Sequence, residues 1–168
     1  MSDRFRHVLS HVPTGVAVIA GEAADGPAGL AVGTFGSISL DPPLVGFFCD
    51  RASTSWPRVR AGGSFCANVL AADQGDLAAR FARRGGRKFD GLAHSPAPFT
   101  GSPVLAGVLA WLDCRVEREV ELGDHVLVVG EPLELAAAGE GGPLVLFRGG
   151  YPGLLEGRGV ERAAADAI

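Results

Sequence analysis

Phe5, Val8, Leu9 and Val12 fall at helical spacing, which predicts a short amphipathic helix over residues 3–11, stopped by Pro13 and packed on one end of a sheet. Two runs rich in valine, isoleucine and threonine follow, Thr14 to Gly21 and Ala28 to Leu40. Asp25-Gly26 between them is a turn signal, so the pair reads as a β-hairpin. Pro42-Pro43 cannot donate ladder hydrogen bonds and biases Asp41 away from helix. It therefore ends one strand before Leu44 to Cys49 forms the next.

Ser53-Thr54-Ser55 precedes Trp56-Pro57-Arg58-Val59, hydroxyls suited to an N-cap ahead of a proline tolerated in the first helical turn. A short helix is predicted from there to Gly62-Gly63. Ser64 to Leu70 reads as a strand, and Leu77, Arg80 and Phe81 mark a helix that closes at Gly85-Gly86. Residues 86–104 are irregular, an excursion of functional length. Val108, Ala110, Leu112, Cys114 and Val116 then alternate with Trp111, Asp113, Arg115 and Glu117, a strand with one buried face. Gly123-Asp124 turns the chain into Val126 to Leu135, and Pro143 to Phe147 is the last strand. The pattern is mainly β: a small antiparallel barrel with a few short helices over residues 1–156, followed by a polar tail at 157–168. Strands apolar on both faces also predict an oligomer interface.

Composition sharpens this picture. The 25 glycines and 11 prolines in 168 residues imply many tight turns without low complexity. The formal charge is −4, with no basic block or stripe, so nucleic acid is not an expected partner. Cys49, Cys66 and Cys114 stand singly in apolar runs and cannot all pair, which fits a reducing cytoplasm. The first residues hold no apolar core or cleavage site, and no apolar stretch reaches a membrane span.

Several chemistries lack their parts. There is no G-x-S-x-G, and each cysteine lies inside a predicted strand, so covalent catalysis has no nucleophile with its base. His7 and His11 are four apart, but no glutamate stands between them as H-E-x-x-H requires, and they read as surface histidines rather than metal ligands. Neither G-x-G-x-x-G after a strand nor a P-loop occurs. The positive signal is Ser53-Thr54-Ser55, where three hydroxyls and free backbone N–H groups suit either a phosphate or a plain cap.

An ordered series of short motifs runs from about residue 5 to 154. It comprises Pro13-Thr14-Gly15-Val16-Ala17-Val18, Phe35-Gly36-Ser37-Ile38-Ser39-Leu40-Asp41-Pro42-Pro43-Leu44, Ser53-Thr54-Ser55-Trp56 and Phe65-Cys66-Ala67-Asn68-Val69-Leu70. Arg80-Phe81-Ala82, Lys88-Phe89, Gly101-Ser102-Pro103-Val104-Leu105, Gly123-Asp124-His125 and Arg148-Gly149-Gly150-Tyr151 complete it. In this series the chain resembles the short-chain flavin reductases of two-component monooxygenase systems. The resemblance implies an FMN-binding split β-barrel of antiparallel Greek-key strands, homodimeric. In it NADH or NADPH would reduce FMN or FAD, and the reduced flavin would leave for a partner flavin-dependent monooxygenase.

Carried onto this chain, the resemblance lays the flavin ring against Val32, Gly33, Thr34, Phe35, Gly36, Ser37, Ile38 and Ser39, and gives its phosphate to Ser53, Thr54 and Ser55. Asn68, Lys88 and Phe89 fall near the flavin, and His125 and Tyr151 near the nicotinamide, with His125 the expected catalytic residue. Each has a structural alternative: Asn68 a strand-end partner, Lys88 a solvated loop charge, His125 a turn cap, Tyr151 an interface residue. Gly33-Thr34 departs from the asparagine with serine or alanine that many members carry, so one side-chain hydrogen bond to the flavin is expected to be missing. Two other readings of the same barrel stay open: a non-catalytic flavin- or haem-binding module, and a pyridoxamine-phosphate-oxidase-like enzyme.

Overall fold

The computed structural model describes residues 1–152, so the predicted tail at 157–168 lies outside the described residues. Helix α1 (Ser2–Leu9) leads to β1 (Thr14–Gly15), β2 (Ala17–Gly21), β3 (Ala28–Val32), β4 (Gly36–Leu40) and β5 (Pro43–Asp50). Then come α2 (Trp56–Ala61), β6 (Ser64–Val69), α3 (Gly75–Ala82), β7 (His94–Pro96) and β8 (Pro103–Leu105). A long hairpin of β9 (Ala110–Leu122) and β10 (His125–Ala137) follows, with Gly123 at φ +62 in its turn, and β11 (Val145–Leu146) closes the series.

Seven strands form one antiparallel sheet in the order β3-β2-β6-β9-β10-β5-β4. The mainly β reading holds, and the sheet does not close: β3 and β4 are edges that do not pair with each other. The sheet nonetheless curls, because Leu30 and Val32 of β3 share one apolar cluster with Val45, Phe47 and Cys49 of β5, far along the strand order. A second cluster on the opposite face joins Val18 and Ala20 of β2 to Phe81, Phe89, Leu105 and Val108. With apolar side chains buried on both faces, β2 reads as an unbroken apolar run rather than an alternation.

Other expectations are corrected in detail. The predicted strand Ala28 to Leu40 is two strands, and its halves lie on opposite edges of the sheet. The break falls at Gly33-Thr34-Phe35. A Cβ on Gly33 would stand 2.8 Å from Thr14 Oγ1, so glycine permits the chain to leave the sheet here. Thr34 Oγ1 then accepts from the Phe48 backbone N–H at 2.9 Å, tying the crossover to β5. Asp113, expected on an outward face, is fully buried and accepts hydrogen bonds from Phe99 N, Thr100 N and Thr100 Oγ1. That network orders part of the expected irregular excursion, which also contains the β7–β8 hairpin. Helix α1 buries no residue, so its expected packing against the sheet is absent; Phe5, Val8, Leu9 and Val12 stay exposed.

Candidate functional site

The end of β3, the β5–α2 connection, the C-terminal end of α3 and the start of β10 converge on a cavity of about 360 Å³. Among the described residues that line it are Val32, Gly33, Thr34, Ser53, Thr54, Ser55, Lys88 and His125. Sequence positions as far apart as 32 and 125 are thus brought to one place, each by a strand end or a helix end.

The start of α2 is fixed from below. The Trp56 ring packs edge-on against Phe47, with centroids 5.3 Å apart, and its Nε1 donates to Glu119 Oε1 at 2.7 Å. Trp56 N donates to Ser53 Oγ at 3.2 Å, so the Ser53 hydroxyl caps the helix while lining the cavity. Pro57 in the first turn leaves one N–H fewer to satisfy.

Lys88 is buried, and its ammonium donates to Gly29 O at 3.1 Å, Ser55 Oγ at 3.0 Å and Phe81 O at 2.9 Å. All three partners are neutral, so the positive charge has no carboxylate beside it among these contacts. Burial, and then repulsion from Arg58, lower the Lys88 pKa below the 10.5 usual for lysine. An anion entering between this ammonium and the Ser53 to Ser55 hydroxyls would relieve that cost. Arg83 and Arg84 add two exposed guanidiniums to the same wall, and Asp50 is the one acid among the lining residues. The Asp50 carboxylate is engaged, accepting from Ala52 N at 2.7 Å and lying 3.8 Å from Arg84.

His125 stands on the rim, paired in register with Asp50 of β5. Its Nδ1 is 2.7 Å from Asp124 Oδ1, and hydrogen bonding to His125 lowers the Asp124 pKa below the usual carboxylate value. The Arg51 backbone N–H donates to Asp124 O at 3.0 Å, which fastens this turn to the β5–α2 connection. Leu30, Val32, Phe48 and Phe81 supply apolar wall. Cys49 also lines the cavity, but burial pushes its thiol pKa up, away from nucleophile chemistry.

The remaining predicted residues lie elsewhere. Asn68 is fully buried: its side-chain amide donates to Val18 O, Cys66 O and Pro103 O, and its Oδ1 accepts from Leu105 N at 2.8 Å. It joins β6 to β2 and β8, and with both amide donors engaged and the residue fully buried it faces other strands rather than the cavity. Phe89 packs edge-on against Phe81 at 5.1 Å in the second cluster. Phe35, Gly36, Ser37, Ile38 and Ser39 run along the β4 edge, outside the cavity lining, and Tyr151 lies against Gly75 at the start of α3. The Thr34 hydroxyl is engaged with the Phe48 backbone. Sequence reasoning missed Arg83 and Arg84 as lining residues; the signal was five cations between positions 80 and 88, read there only as a helix end.

Residues 9–155 match the flavin reductase like domain family. The chain is 45% identical over 150 residues to a flavin reductase of Pseudomonas putida, covering 89% of this chain and 88% of the relative. It is 42% identical over 150 residues to the FMN reductase (NADH) SmoA of Agrobacterium fabrum, covering 89% and 84%. The crystal structure of a nitrilotriacetate monooxygenase component B homolog from Mycobacterium thermoresistibile superposes with a TM-score of 0.89 at 37% identity, covering 98% of this chain and 93% of that one.

Proposed function

The chain belongs to the flavin reductase like domain family, and on that premise we propose that it is an NAD(P)H:flavin oxidoreductase that reduces FMN or FAD and releases the reduced flavin to a partner monooxygenase. The observation that carries this reading is the polarity of the cavity. One end offers the Ser53, Thr54 and Ser55 hydroxyls beside the Lys88 ammonium, and Leu30, Val32 and Phe48 supply apolar wall next to the Asp50 and Arg84 pair. A planar ring with an anionic tail matches that division.

The flavin supplies the hydride acceptor and the nicotinamide the donor, so no protein acid–base pair is required. What the residues do is position and shield. The Ser53, Thr54 and Ser55 hydroxyls would hold the phosphate beside the end of β3, and the Lys88 ammonium, its three N–H groups donated to Gly29 O, Ser55 Oγ and Phe81 O, would add its positive charge through Ser55. Leu30, Val32 and Phe48 keep water from the ring. His125, oriented by Asp124, would place a hydrogen-bond donor at the rim for a bound flavin.

The curled, open-edged sheet is the split barrel of this reading, completed as a homodimer. Phe5, Val8 and Leu9 on α1, Val12 after it, Ile38 and Leu40 on the β4 edge, and Val120 and Leu122 on β9 are all exposed, apolar side chains that a second copy would take out of water. A second copy covering them would also approach the β4 segment Phe35 to Ser39. Among the described residues no helix is long and apolar enough to cross a membrane, and the three cysteines are buried and unpaired, as suits a reducing cytoplasm.

Purified protein given NADH or NADPH and an excess of FMN, FAD or riboflavin tests the activity. Multiple turnovers of added flavin are expected. Reduction of at most one flavin per chain would leave a carrier rather than a reductase, and a monomeric mass by light scattering would overturn the homodimer.

A further inference from the structure

A second groove, of about 570 Å³, opens beside the cavity and shares Arg83, Arg84 and Lys88 with it. Arg80 and Arg87 complete its basic wall, and Asp76 is its one acid. Five of the chain's 15 basic residues thus surround one groove in a molecule of net charge −4, which corrects the reading that no basic block exists. Gly85 and Gly86, at φ +68 and +79, bend the chain so that the cations on either side face the same space.

The cations differ in what occupies them. Arg80 is committed to backbone, donating to Asp90 O at 2.5 Å and to Arg87 O at 3.4 Å, and so holds the loop's shape. Arg84 has only its 3.8 Å approach to Asp50. Among the described residues Arg83 and Arg87 form no ion pair. Exposed guanidiniums gathered at this density repel one another, and an anion removes that cost while accepting their fixed forks of donors.

We infer that this groove receives the adenosine-monophosphate half of FAD and makes the chain an FAD-preferring member of its family. The inference rests on the flavin reading of the adjoining cavity. In FAD the second phosphate is joined to the flavin-side phosphate through one bridging oxygen, so it must emerge where the Ser55 and Lys88 site ends. That is where the groove begins, since Lys88 lines both spaces. FMN ends at the first phosphate and leaves the groove untouched. The pyridine nucleotide also carries a diphosphate but has no bond to the flavin phosphate, so continuity across Lys88 selects FAD.

Equilibrium titration of the whole chain with FAD and with FMN at fixed ionic strength, on wild type, Arg87→Glu and Arg87→Lys, tests this. Arg87 lines the groove and not the cavity, and its hydrogen bonds, from the Arg80 side chain and from Asp90 N, are both accepted by its backbone carbonyl, so its side chain can be changed without opening the fold. The wild type is expected to bind FAD more tightly than FMN. Arg87→Glu is expected to cut the FAD-to-FMN affinity ratio by about tenfold or more, the scale of a lost charge-assisted phosphate contact. Arg87→Lys is expected to keep most of the preference. Equal wild-type affinities, or a ratio that moves less than about twofold in Arg87→Glu, would overturn the inference. A rise in KM for NADH or NADPH with both flavin affinities fixed would also overturn it, and would give the groove to the other dinucleotide. Titration needs no turnover, so a chain that bound flavins but reduced none would defeat the functional proposal and still answer this one.

Discussion

The Lys88 ammonium donates to the Ser55 hydroxyl at 3.0 Å, joining the loop after α3 to the residue that opens α2. The same ammonium reaches Gly29 O and Phe81 O, so one side chain both holds three segments together and sets the positive end of the cavity. Lys88→Met is therefore expected to have two separable effects. Stability falls by about 1–3 kcal/mol, because buried carbonyls lose their donor. FMN affinity of the folded variant falls by about tenfold or more, through loss of a charged phosphate partner, while riboflavin, which has no phosphate, binds nearly as before. Denaturant titration and fluorescence titration measure the two; an equal loss for both ligands would remove Lys88 from the phosphate site.

The lowered Lys88 pKa gives a pH signature of known sign. A bound phosphate favours the ammonium, so FMN affinity is full below the Lys88 value and declines as pH rises through it, starting at lower pH than the 10.5 of an ordinary lysine would allow. Riboflavin affinity should stay flat over the same range. The stability of the ligand-free protein moves the opposite way. Between the folded value and 10.5 the unfolded chain holds the extra proton, so stability rises with pH there as the cost of burying charge disappears. Parallel FMN and riboflavin curves would refute the assignment.

His125 touches the cavity only at its rim, and its partner Asp124 is fully exposed to solvent. Its replacement should therefore spare the phosphate end and act on the chemistry. His125→Ala is expected to slow single-turnover hydride transfer by about tenfold or more, as for loss of one preorganised donor, with a smaller change in flavin Kd. Asp124→Asn, which keeps the imidazole and weakens its orientation, should fall between. Stopped-flow traces of flavin bleaching decide it: an unchanged rate in His125→Ala would end the role.

Asn68 has all its hydrogen-bonding groups spent on Val18, Cys66, Pro103 and Leu105. Asn68→Leu leaves those buried groups without partners and is expected to cost about 2–4 kcal/mol. Flavin affinity per folded molecule should not change, and a selective loss of affinity at wild-type stability would return Asn68 to the cofactor site.

The sequence made local periods visible and hid what only folding brings together. The β9–β10 hairpin was legible because Gly123-Asp124 separates two long alternating runs. The split at Gly33-Thr34-Phe35 was not, because β-formers continue on both sides and the reason for the break, Thr14, is distant in sequence. Asp113 falls on the polar beat of its strand, yet the loop at 99–100 covers it with donors that no local pattern announces. The Ser53 to Ser55 hydroxyls could be found from helix-start chemistry alone. That Lys88 shares their cavity rested on the resemblance, and its burial depends on α3 and β3 meeting above it. Arg83 and Arg87 looked like a charged helix end because nothing local shows which way Gly85 and Gly86 turn the chain.

Gly33 offers the sharpest check on how the sheet divides. Its backbone leaves the end of β3 close against Thr14, and an added methyl would come within 2.8 Å of Thr14 Oγ1, closer than side chains tolerate. Because Thr14 is pinned in its pairing with Leu146 of β11, it cannot simply withdraw. Gly33→Ala is expected to destabilise by about 1–3 kcal/mol, the usual cost of overpacking, and to weaken flavin binding by shifting the β3 end that forms the cavity wall. The cause is a single clash, so removing the hydroxyl should relieve it: Thr14→Ala with Gly33→Ala is expected to recover most of the stability lost, a coupling read directly from a double-mutant cycle. Additive losses in that cycle would place the requirement for glycine in the backbone itself rather than in its contact with Thr14.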